Sequence, residues 1–452
     1  MMQNKKSALL LTALACLALV SCQAAPTKEP VNSTSAPSET PAEEGNPNDK
    51  DIELSLWTYP VGGWGDPEAV EPLLADFHQA YPHIRVSVEY LDYSTGDEKV
   101  NAALKDKTGP DLIFEGPERL VAQWGEAGEM VDLSDLWLTE KAGEINTAVR
   151  SACRHQNGYF YEFPVCMTAH CMAINYDLFK AADALQYIDE TNHTWTKDGF
   201  IQAVKALYNY GHEKVAAIYC KDQGGDQGTR ALITNLSGGS FTDADHTVYT
   251  FDSQENIQSL ELLSDLEGIS FEPTLAGGDE INLFCEGELA MAFCWNASLA
   301  ITHTVDNPAV DFEVFPMAFP TDSGEPKLQG GIWGFGIFDH GDPDKIEAAK
   351  TFITFMTEDD EQYTKAVHTS AQFPVREIKD IYAHDEIMHK YSHFTKFLGD
   401  YYQITPGWGE ARSSWWNMLQ DVGEGKDIPA AVKEFTAAAN AGAQADAVEI
   451  ID

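Results

Sequence analysis

The chain has 452 residues and carries 72 acidic against 29 basic side chains, which gives a formal net charge of −43. A surface this acidic repels phosphate backbones and anionic lipid headgroups, so the composition argues against a nucleic-acid partner. Hydrophobic residues make up 44% of the chain, and at about 150 residues per domain its length predicts two or three domains with a sizeable core.

The N-terminus has the pattern of a secretory leader. Lys5 and Lys6 precede an apolar run over residues 8–20. This run is shorter than the roughly 20 residues that cross a bilayer, so we interpret 1–21 as a signal peptide. The segment Leu19-Val20-Ser21-Cys22 resembles the bacterial lipobox, which predicts lipidation of Cys22. The alternative is an ordinary signal peptide followed by an incidental cysteine.

Residues 23–50 are rich in Pro, Ser, Thr, Glu, Ala and Asn and have almost no large apolar side chains. Such a segment cannot bury enough surface to offset the entropy of ordering, so we interpret 22–50 as a lipidated cysteine and a disordered tether. An even number of cysteines follows, which permits disulfides outside the cell without fixing any pairing. These residues are Cys153, Cys166, Cys171, Cys220, Cys285 and Cys294.

The globular part opens with alternating strands and amphipathic helices. Residues 52–57 and 84–90 alternate as strands do, and 110–114 predicts a short buried strand. Asp66 as N-cap and Pro67 at the first helical position predict a helix between the first two strands. Strand, helix, strand, helix, strand predicts a parallel sheet.

The second half repeats this pattern with different content and without a fixed-period repeat. A strand is predicted around residues 173–174, and a helix begins at Thr196. Asp252 and Glu255 have capping-box spacing before another helix, and apolar residues over 346–356 recur at helical spacing. We therefore expect two α/β lobes whose ligand lies in a crevice at the carboxyl ends of the strands.

Short motifs follow one another through nearly all of the chain after residue 50. They are Leu54-Ser55-Leu56-Trp57, Phe77-x-x-x-Tyr81-Pro82-His83-Ile84-x-Val86, Gly109-Pro110-Asp111-Leu112-Ile113-Phe114, Ala127-Gly128-x-x-Val131-Asp132-Leu133, Gly158-x-x-Tyr161-x-Phe163-Pro164, Asn175-x-Asp177-Leu178-Phe179, Thr194-Trp195, Phe284-x-x-Gly287-x-x-Ala290-Met291, Gly330-Gly331-x-Trp333-Gly334 and Ala348-Ala349-x-x-Phe352. In this order and at these spacings the chain resembles the family 1 extracellular solute-binding proteins, which include maltose- and oligosaccharide-binding proteins of ABC importers.

The resemblance implies the larger, type II-like periplasmic-binding-protein fold, with two lobes that close on a ligand by hinge motion. The chain is expected to cross between lobes three times, near residues 165–167, 331–338 and 374–376. These crossings predict an N-lobe made of 51–165 plus 339–375. The C-lobe is predicted to comprise 166–338 plus 376–452.

The resemblance also implies a function. It predicts a monomeric, extracytoplasmic lipoprotein, anchored to the membrane through Cys22, that delivers a carbohydrate, above all an oligosaccharide, to an ABC permease. No catalytic residue, metal or cofactor is expected, and the sequence has no Gly-x-Ser-x-Gly, Walker or His-Glu-x-x-His motif. The alternatives are a surface glycoside hydrolase or lyase, or the same binding role for glycerol phosphate, a polyamine or a chelated metal.

A sugar site needs flat aromatic faces and planar charged groups. The resemblance places Trp295 at a stacking position, with a core tryptophan as the alternative. It also places the loop that carries Trp57, Tyr59 and Trp64 at the cleft, and Trp64 among glycines is poorly placed for a core. Trp333 lies near a predicted crossing, where a hinge role is the alternative to ligand contact.

A charged loop and a tryptophan-rich segment complete the predicted site. Glu118 and Arg119 match an acid–arginine pair of maltose-binding relatives, whereas Glu115 replaces their aromatic; a solvated loop is the alternative. His170 is expected to donate to a ligand hydroxyl. The alternative is that Cys166, His170 and Cys171 are three ligands of a metal site that lacks a fourth. The resemblance places a further segment against the ligand, which carries Trp408, Arg412, Trp415 and Trp416.

Overall fold

The computed structural model describes residues 50–449, apart from residues 94, 222–225 and 323. The predicted signal peptide, Cys22 and the tether up to residue 49 lie outside the described residues. In the described part of the chain, no helix is long and apolar enough to cross a membrane.

The strands of the described residues are short and are distributed over three sheets. In chain order they are β1 (Ile52–Thr58), β2 (Ile84–Tyr90), β3 (Leu112–Glu115), β4 (Phe163–Ala169), β5 (Cys171–Asn175), β6 (Ala216–Lys221), β7 (Ile269–Ala276), β8 (Met291–Trp295), β9 (Val314–Met317), β10 (Gly330–Ile337) and β11 (Phe373–Pro374).

The helices cover the sheets and build the end of the chain. They are α1 (Pro67–Ala80), α2 (Gly96–Lys105), α3 (Pro117–Leu120), α4 (Glu140–Gly143), α5 (Thr147–Ala152), α6 (Tyr176–Ala181), α7 (Lys197–Tyr210), α8 (Asp226–Ser237), α9 (Gln254–Asp265), α10 (Gly277–Cys285), α11 (Ala297–Thr304), α12 (Pro343–Thr357), α13 (Asp360–Ser370), α14 (Glu386–Ser392), α15 (Trp408–Gly423) and α16 (Ile428–Glu449).

The first lobe is built on a mixed sheet with the strand order β11-β4-β10-β3-β1-β2. β1 pairs in parallel with both β2 and β3, as the alternation of strands and helices predicts, while β10 runs antiparallel between β3 and β4. The predicted start of α1 is confirmed, because the Asp66 side chain accepts a hydrogen bond from the backbone N–H of Glu68 and Pro67 is the first helical residue.

The second lobe contains two small sheets, β8-β5-β9 and β6-β7. Its buried apolar side chains form one continuous core, separate from the main core of the first lobe. The predicted capping box at Asp252 is wrong. The N-cap of α9 is Ser253, whose side chain accepts from the backbone N–H of Asn256, so the neighbouring hydroxyl takes the position that the spacing assigned to the carboxylate.

The described chain changes core at several places. Met167 packs in the first core and Ala169 in the second, Leu328 in the second and Ile332 in the first, and the chain returns to the second core within 373–382. Leu398 and Tyr401 then pack in the first core again, before Tyr402 in the second. The strand β10 lies within the boundary predicted for the C-lobe, but it pairs with β3 and β4 and so belongs to the first lobe. The residues of β10 are buried apart from half-buried Trp333. Because the strand is buried on both faces, its sequence shows no alternation of apolar and polar residues from which to locate the crossing between lobes.

The cysteines of the described chain are free thiols rather than disulfides. All are buried, so they behave as small apolar core side chains. They are Cys153, Cys166, Cys171, Cys220, Cys285 and Cys294.

Gly330 at the second change of core allows close contact between β10 and β4. A Cβ at this position would lie 1.8 Å from the backbone oxygen of Thr168. We expect Gly330→Ala to lower the free energy of unfolding by about 1 to 3 kcal/mol, because the two strands must separate. Urea unfolding measures the change.

Gly409 in α15 provides the control, since a Cβ there would meet no heavy atom within 4 Å. Gly409→Ala should leave stability unchanged or raise it by up to about 1 kcal/mol, because alanine is the better helix former. Equal stabilities of the two variants would contradict the close strand contact.

Candidate functional site

The parallel strands of the first lobe end together and carry polar side chains at that edge. Thr58 of β1 lies opposite both Tyr90 of β2 and Phe114 of β3, so the residues that follow these strands gather at one edge of the sheet. Tyr59 is one of them, and Glu115, the last residue of β3, lies at the same edge. The short helix α3 begins directly after β3 and holds its charged side chains over the same edge.

Arg119 in α3 is fixed by two carboxyl groups. Its Nε lies 2.7 Å from Oδ1 of Asp97, and its Nη1 lies 2.7 Å from Oε1 of Glu115. The guanidinium carbon is 5.0 Å from the ring centre of Tyr59 and 5.6 Å from that of Tyr93. The side chain keeps 19% exposure, so a cation of fixed orientation remains accessible from solvent.

Tyr93 is an accessible aromatic side chain at this edge. It is 51% exposed, and its ring stacks on that of Tyr59 with 5.2 Å between centroids. Tyr59, a predicted contact residue, is fully buried, and its hydroxyl donates to Asp97. The prediction missed Tyr93, although its place just after a parallel strand was the available signal.

Two further carboxyl groups, those of Glu118 and Glu162, interact with Glu115. Glu118 is half-buried and accepts a hydrogen bond of 3.0 Å from the Tyr401 hydroxyl. Glu115 Oε2 and both carboxyl oxygens of Glu162 are buried and find no hydrogen-bond partner among the described residues. We call Asp97, Glu115, Glu118, Arg119 and Glu162 the acidic edge.

Burial determines the protonation of this edge. Burial raises the pKa of Glu115 to about 8, against the opposing charge of Arg119. Burial also raises the pKa of Glu162 well above its ordinary value, and the charges of Glu118 and Glu115 add to the effect. Removal of these carboxyls from water therefore favours their neutral forms.

The second lobe has an arginine cluster around one buried carboxylate. Arg412 binds Asp226 through two contacts, Nε to Oδ2 at 2.8 Å and Nη2 to Oδ1 at 3.2 Å, and Arg230 donates to the same carboxylate. Although burial opposes it, the two guanidinium groups hold the pKa of Asp226 below its usual value. Arg412 was predicted; Asp226 and Arg230 were missed, although their four-residue spacing on a helix was the signal.

Trp408 and Tyr402 enclose this cluster. The guanidinium carbon of Arg230 lies 4.8 Å from the ring centre of Trp408, and its Nε donates to the Tyr402 hydroxyl over 3.1 Å. Trp408 and Arg412 are both half-buried, so they are the predicted residues of the second lobe that keep accessible surface beside this cluster.

Three predicted tryptophans have no exposed surface. Trp64 stacks on Phe114 in the first core, which contradicts the expectation that its glycine-rich loop keeps it out of a core. Trp295 and Trp415 lie in the second core, and the Trp295 indole N–H donates to Tyr391 over 2.5 Å. The expectation that Trp295 and Trp415 offer accessible stacking faces is therefore corrected: their rings complete the packing of the second lobe.

The other predicted tryptophans are mostly covered. Trp57 is 9% exposed beneath the ammonium group of Lys99, and Trp416 is buried against the second core. Trp333 is half-buried against the first core, and its indole lies so close to Gly331 that a Cβ there would be 2.1 Å from Cη2. Trp333 is the fourth residue of β10 and lies next to Ile332, the residue of β10 at the change of core.

His170 joins β4 to β5 at the first change of core. Its backbone N–H donates to Gln329, and its buried Nδ1 has no partner in the described chain. Burial lowers the pKa of His170 to about 4, so its imidazole is neutral at pH 7. Among the described residues, no group of three or more His, Cys, Asp or Glu side chains is arranged to hold a metal ion.

A polar cleft of about 610 Å³ separates part of the first lobe from a hairpin of the second. Gln156 crosses it, with its side-chain amide donating to the backbone oxygens of Asp245 at 3.3 Å and His246 at 3.4 Å. None of the predicted site residues lines this cleft.

The buried Glu162 carboxyl predicts a pH-dependent stability. A carboxyl whose folded pKa is raised gives its full stabilisation below its unfolded pKa and loses it as pH rises toward the folded pKa. Glutamine stays neutral, so we expect the stability of Glu162→Gln relative to the native protein to increase as the pH rises from 5 to 8. Denaturant unfolding at both pH values measures this difference.

The exposed Glu261 supplies the control, because Glu261→Gln removes the same charge without burial. Its stability difference from the native protein should stay constant with pH. A pH-independent difference for Glu162→Gln as well would contradict the raised pKa.

Comparisons with known proteins agree with this two-lobed architecture. A family model for bacterial extracellular solute-binding proteins matches residues 73–396. The structure is similar to a cyclic α-maltosyl-1,6-maltose binding protein from Arthrobacter globiformis, with a TM-score of 0.73 and 18% identity over 87% of this chain and 99% of that one. No match was found among curated proteins.

Two further solved structures share the fold. An ABC substrate-binding protein from Listeria monocytogenes in complex with cycloalternan has a TM-score of 0.62 and 19% identity over 87% of this chain and 99% of that one. An ABC transporter solute-binding protein from Thermotoga lettingae, bound with α-D-tagatose, has a TM-score of 0.63 and 19% identity over 87% of this chain and all of that one.

Proposed function

Because the chain belongs to the bacterial extracellular solute-binding proteins, we propose that it captures a carbohydrate and delivers it to the permease of an ABC importer. The observation that carries this proposal is the half-exposed face of Tyr93 beside the fixed guanidinium of Arg119. A sugar offers C–H faces for stacking and hydroxyls for planar hydrogen bonds, so this pair of groups suits it. An oligosaccharide is the ligand we expect.

The similar structures support a carbohydrate ligand, since their cyclic oligosaccharide and ketose ligands are sugars. On the second lobe, the half-buried Trp408 and Arg412 are the residues we propose for the other side of the ligand. Closure of the lobes would then be a population shift, in which the ligand stabilises the closed state through its greater affinity for it.

We propose that the protein binds its ligand without chemical change and acts as a monomer. The family is one of binding proteins. Glu115 is engaged by Arg119, and Glu118 by the Tyr401 hydroxyl, so both have positioning partners in the site. Because these contacts hold the two glutamate side chains in place, both side chains are suited to binding hydroxyl groups of a ligand.

A thermal-shift screen with neutral mono-, di- and trisaccharides tests this proposal. A ligand that binds only the folded state raises the melting temperature, and at a hundred times its Kd it adds about 2.7 kcal/mol of stability. We expect at least one neutral sugar to raise the melting temperature in a saturable way. Absence of any shift at millimolar concentrations would contradict a carbohydrate ligand.

We also propose that Cys22 carries the lipid that holds the protein at the extracytoplasmic face of the membrane. Cys22→Ser should release the protein into the soluble fraction and leave ligand affinity unchanged, because the described domain begins well after this residue. Membrane fractionation measures the release. A serine variant that still sediments with membranes would contradict lipidation at Cys22.

A further inference from the structure

A buried glutamate in the second lobe holds an irregular strand in place. We infer, on the basis of the proposed carbohydrate capture, that Glu280 of α10 is a positioning residue for ligand binding. Its carboxyl group maintains a bulge in β8, and this bulge fixes the first turn of α8, from which Asp226 and Arg230 project. Glu280 lies outside every motif and every contact that the sequence predicts.

The strand β8 carries one residue more than the strand with which it pairs. Phe293 and Cys294 of β8 stand opposite the single Met172 of β5. This arrangement is a β-bulge, which bends a strand and redirects the groups beside it. β8 is an edge strand of the sheet β8-β5-β9, so in the described chain β5 alone pairs with it. The bulge therefore needs support from outside the sheet.

Glu280 supplies this support by binding both residues of the bulge. Its Oε1 accepts a 2.6 Å hydrogen bond from the backbone N–H of Phe293, and its Oε2 accepts a 2.9 Å bond from that of Cys294. The side chain is fully buried, and burial raises the pKa of Glu280 to about 8 against these two hydrogen bonds. A buried N–H without an acceptor is costly, so loss of either oxygen favours rearrangement of the bulge.

The bulge in turn supports the first turn of α8. A Cβ on Gly228 would lie 2.1 Å from the backbone oxygen of Phe293 in β8 and 2.6 Å from the hydroxyl of Tyr219 in β6. The helix therefore begins between strands of two different sheets, with its backbone against the backbone of β8. Because protein interiors are close-packed, the bulge cannot change at this contact without moving the helix.

The charged groups of the second lobe lie on either side of this contact. Asp226 is two residues before Gly228, and Arg230 is two residues after it. The guanidinium of Arg230 lies over the ring of Trp408. The carboxylate of Asp226 binds Arg412. Trp408 and Arg412 are the residues proposed for the second-lobe side of the ligand, so the buried carboxyl of α10 acts on binding without contact with the ligand.

Calorimetric titration of Glu280→Gln tests this role, with the neutral sugar that raises the melting temperature most in the thermal-shift screen. Glutamine has nearly the same shape, but it keeps one acceptor oxygen and turns an amino group toward the second N–H. We expect the Kd of the variant to rise by about tenfold. A single cooperative melting transition and binding of one sugar per chain check that the variant is folded.

Leu207→Ala separates positioning from a general loss of stability. Leu207 is a fully buried core residue of α7 in the same lobe, and its truncation leaves a cavity. The melting temperature of this variant should therefore fall. We expect its Kd for the same sugar to match that of the native protein.

Gly228→Ala perturbs the same contact from the side of α8. The added methyl group would overlap the backbone oxygen of Phe293, so we expect Kd to rise here as well. Gly278→Ala is the matched control, because Gly278 also lies in the first turn of a helix but a Cβ there meets no heavy atom within 4 Å. Because Glu280 and Gly228 act on one contact, the double variant should weaken binding by less than the product of the two single effects.

The outcomes separate this inference from the proposed function. Native Kd values for folded Glu280→Gln and Gly228→Ala overturn the inference and leave the carbohydrate proposal standing. An equal rise of Kd in Glu280→Gln and Leu207→Ala also overturns it, because the carboxyl would then act only through overall stability. Failure of the native protein to bind any neutral sugar overturns the proposed function and the inference with it.

Discussion

Trp295→Ala will lower the free energy of unfolding by about 3 to 5 kcal/mol, as expected for loss of a fully buried core tryptophan. The indole has no exposed surface, meets Phe284 edge to face at 5.5 Å and donates its N–H to Tyr391. Its removal leaves a cavity and an unpaired hydroxyl. Guanidinium unfolding measures the loss, and the folded fraction should bind ligand normally.

Tyr210→Ala is the control, because this aromatic ring on α7 is 57% exposed. Its effect on stability should stay within about 0.5 kcal/mol. If Trp295→Ala instead keeps its stability and loses binding, Trp295 contacts the ligand after all and the core assignment is wrong.

Tyr93→Ala will weaken binding of the neutral sugar by about tenfold to a hundredfold, because loss of an aromatic platform removes about 1.5 to 3 kcal/mol of burial and stacking. Stability without ligand should change little, since half of the side chain is already in solvent. Calorimetric titration and an unliganded melt of the same sample separate the two effects.

Tyr159 offers a matched control in the same lobe, since its side chain is also 51% exposed but its ring packs against Tyr161 instead of Tyr59. Tyr159→Ala should leave the affinity unchanged. Equal affinities of the Tyr93 and Tyr159 variants would remove Tyr93 from the proposed site.

Local patterns in the sequence predicted the architecture well. The alternation of β2 and the cap of α1 arise from contacts within a few residues, and both are found where expected. The crossings were harder to place, because every residue of β4 is buried and the strand therefore shows no alternation from which to locate its end. The α9 cap was predicted at Asp252 but lies at Ser253. Residue type does not decide between these neighbours, because Asp and Ser are both favoured at N-caps.

The site depended on contacts that local patterns do not encode. Residue type does not distinguish the buried Trp295 from the half-buried Trp408, because a core and a sugar site both use tryptophan. The hydrogen bond between Glu118 and Tyr401 joins residues 283 positions apart. By contrast, the pairing of Glu115 with Arg119 follows from its four-residue spacing at a helix start, so this contact was within reach of sequence reasoning.

The most direct test of the central claim is titration of the mature protein with a neutral oligosaccharide, followed by recovery and mass analysis of the sugar. A binding protein predicts saturable heat with one ligand per chain and recovery of the sugar intact after prolonged incubation. Cleavage of the sugar, or the absence of saturable binding by any neutral sugar, would contradict the account.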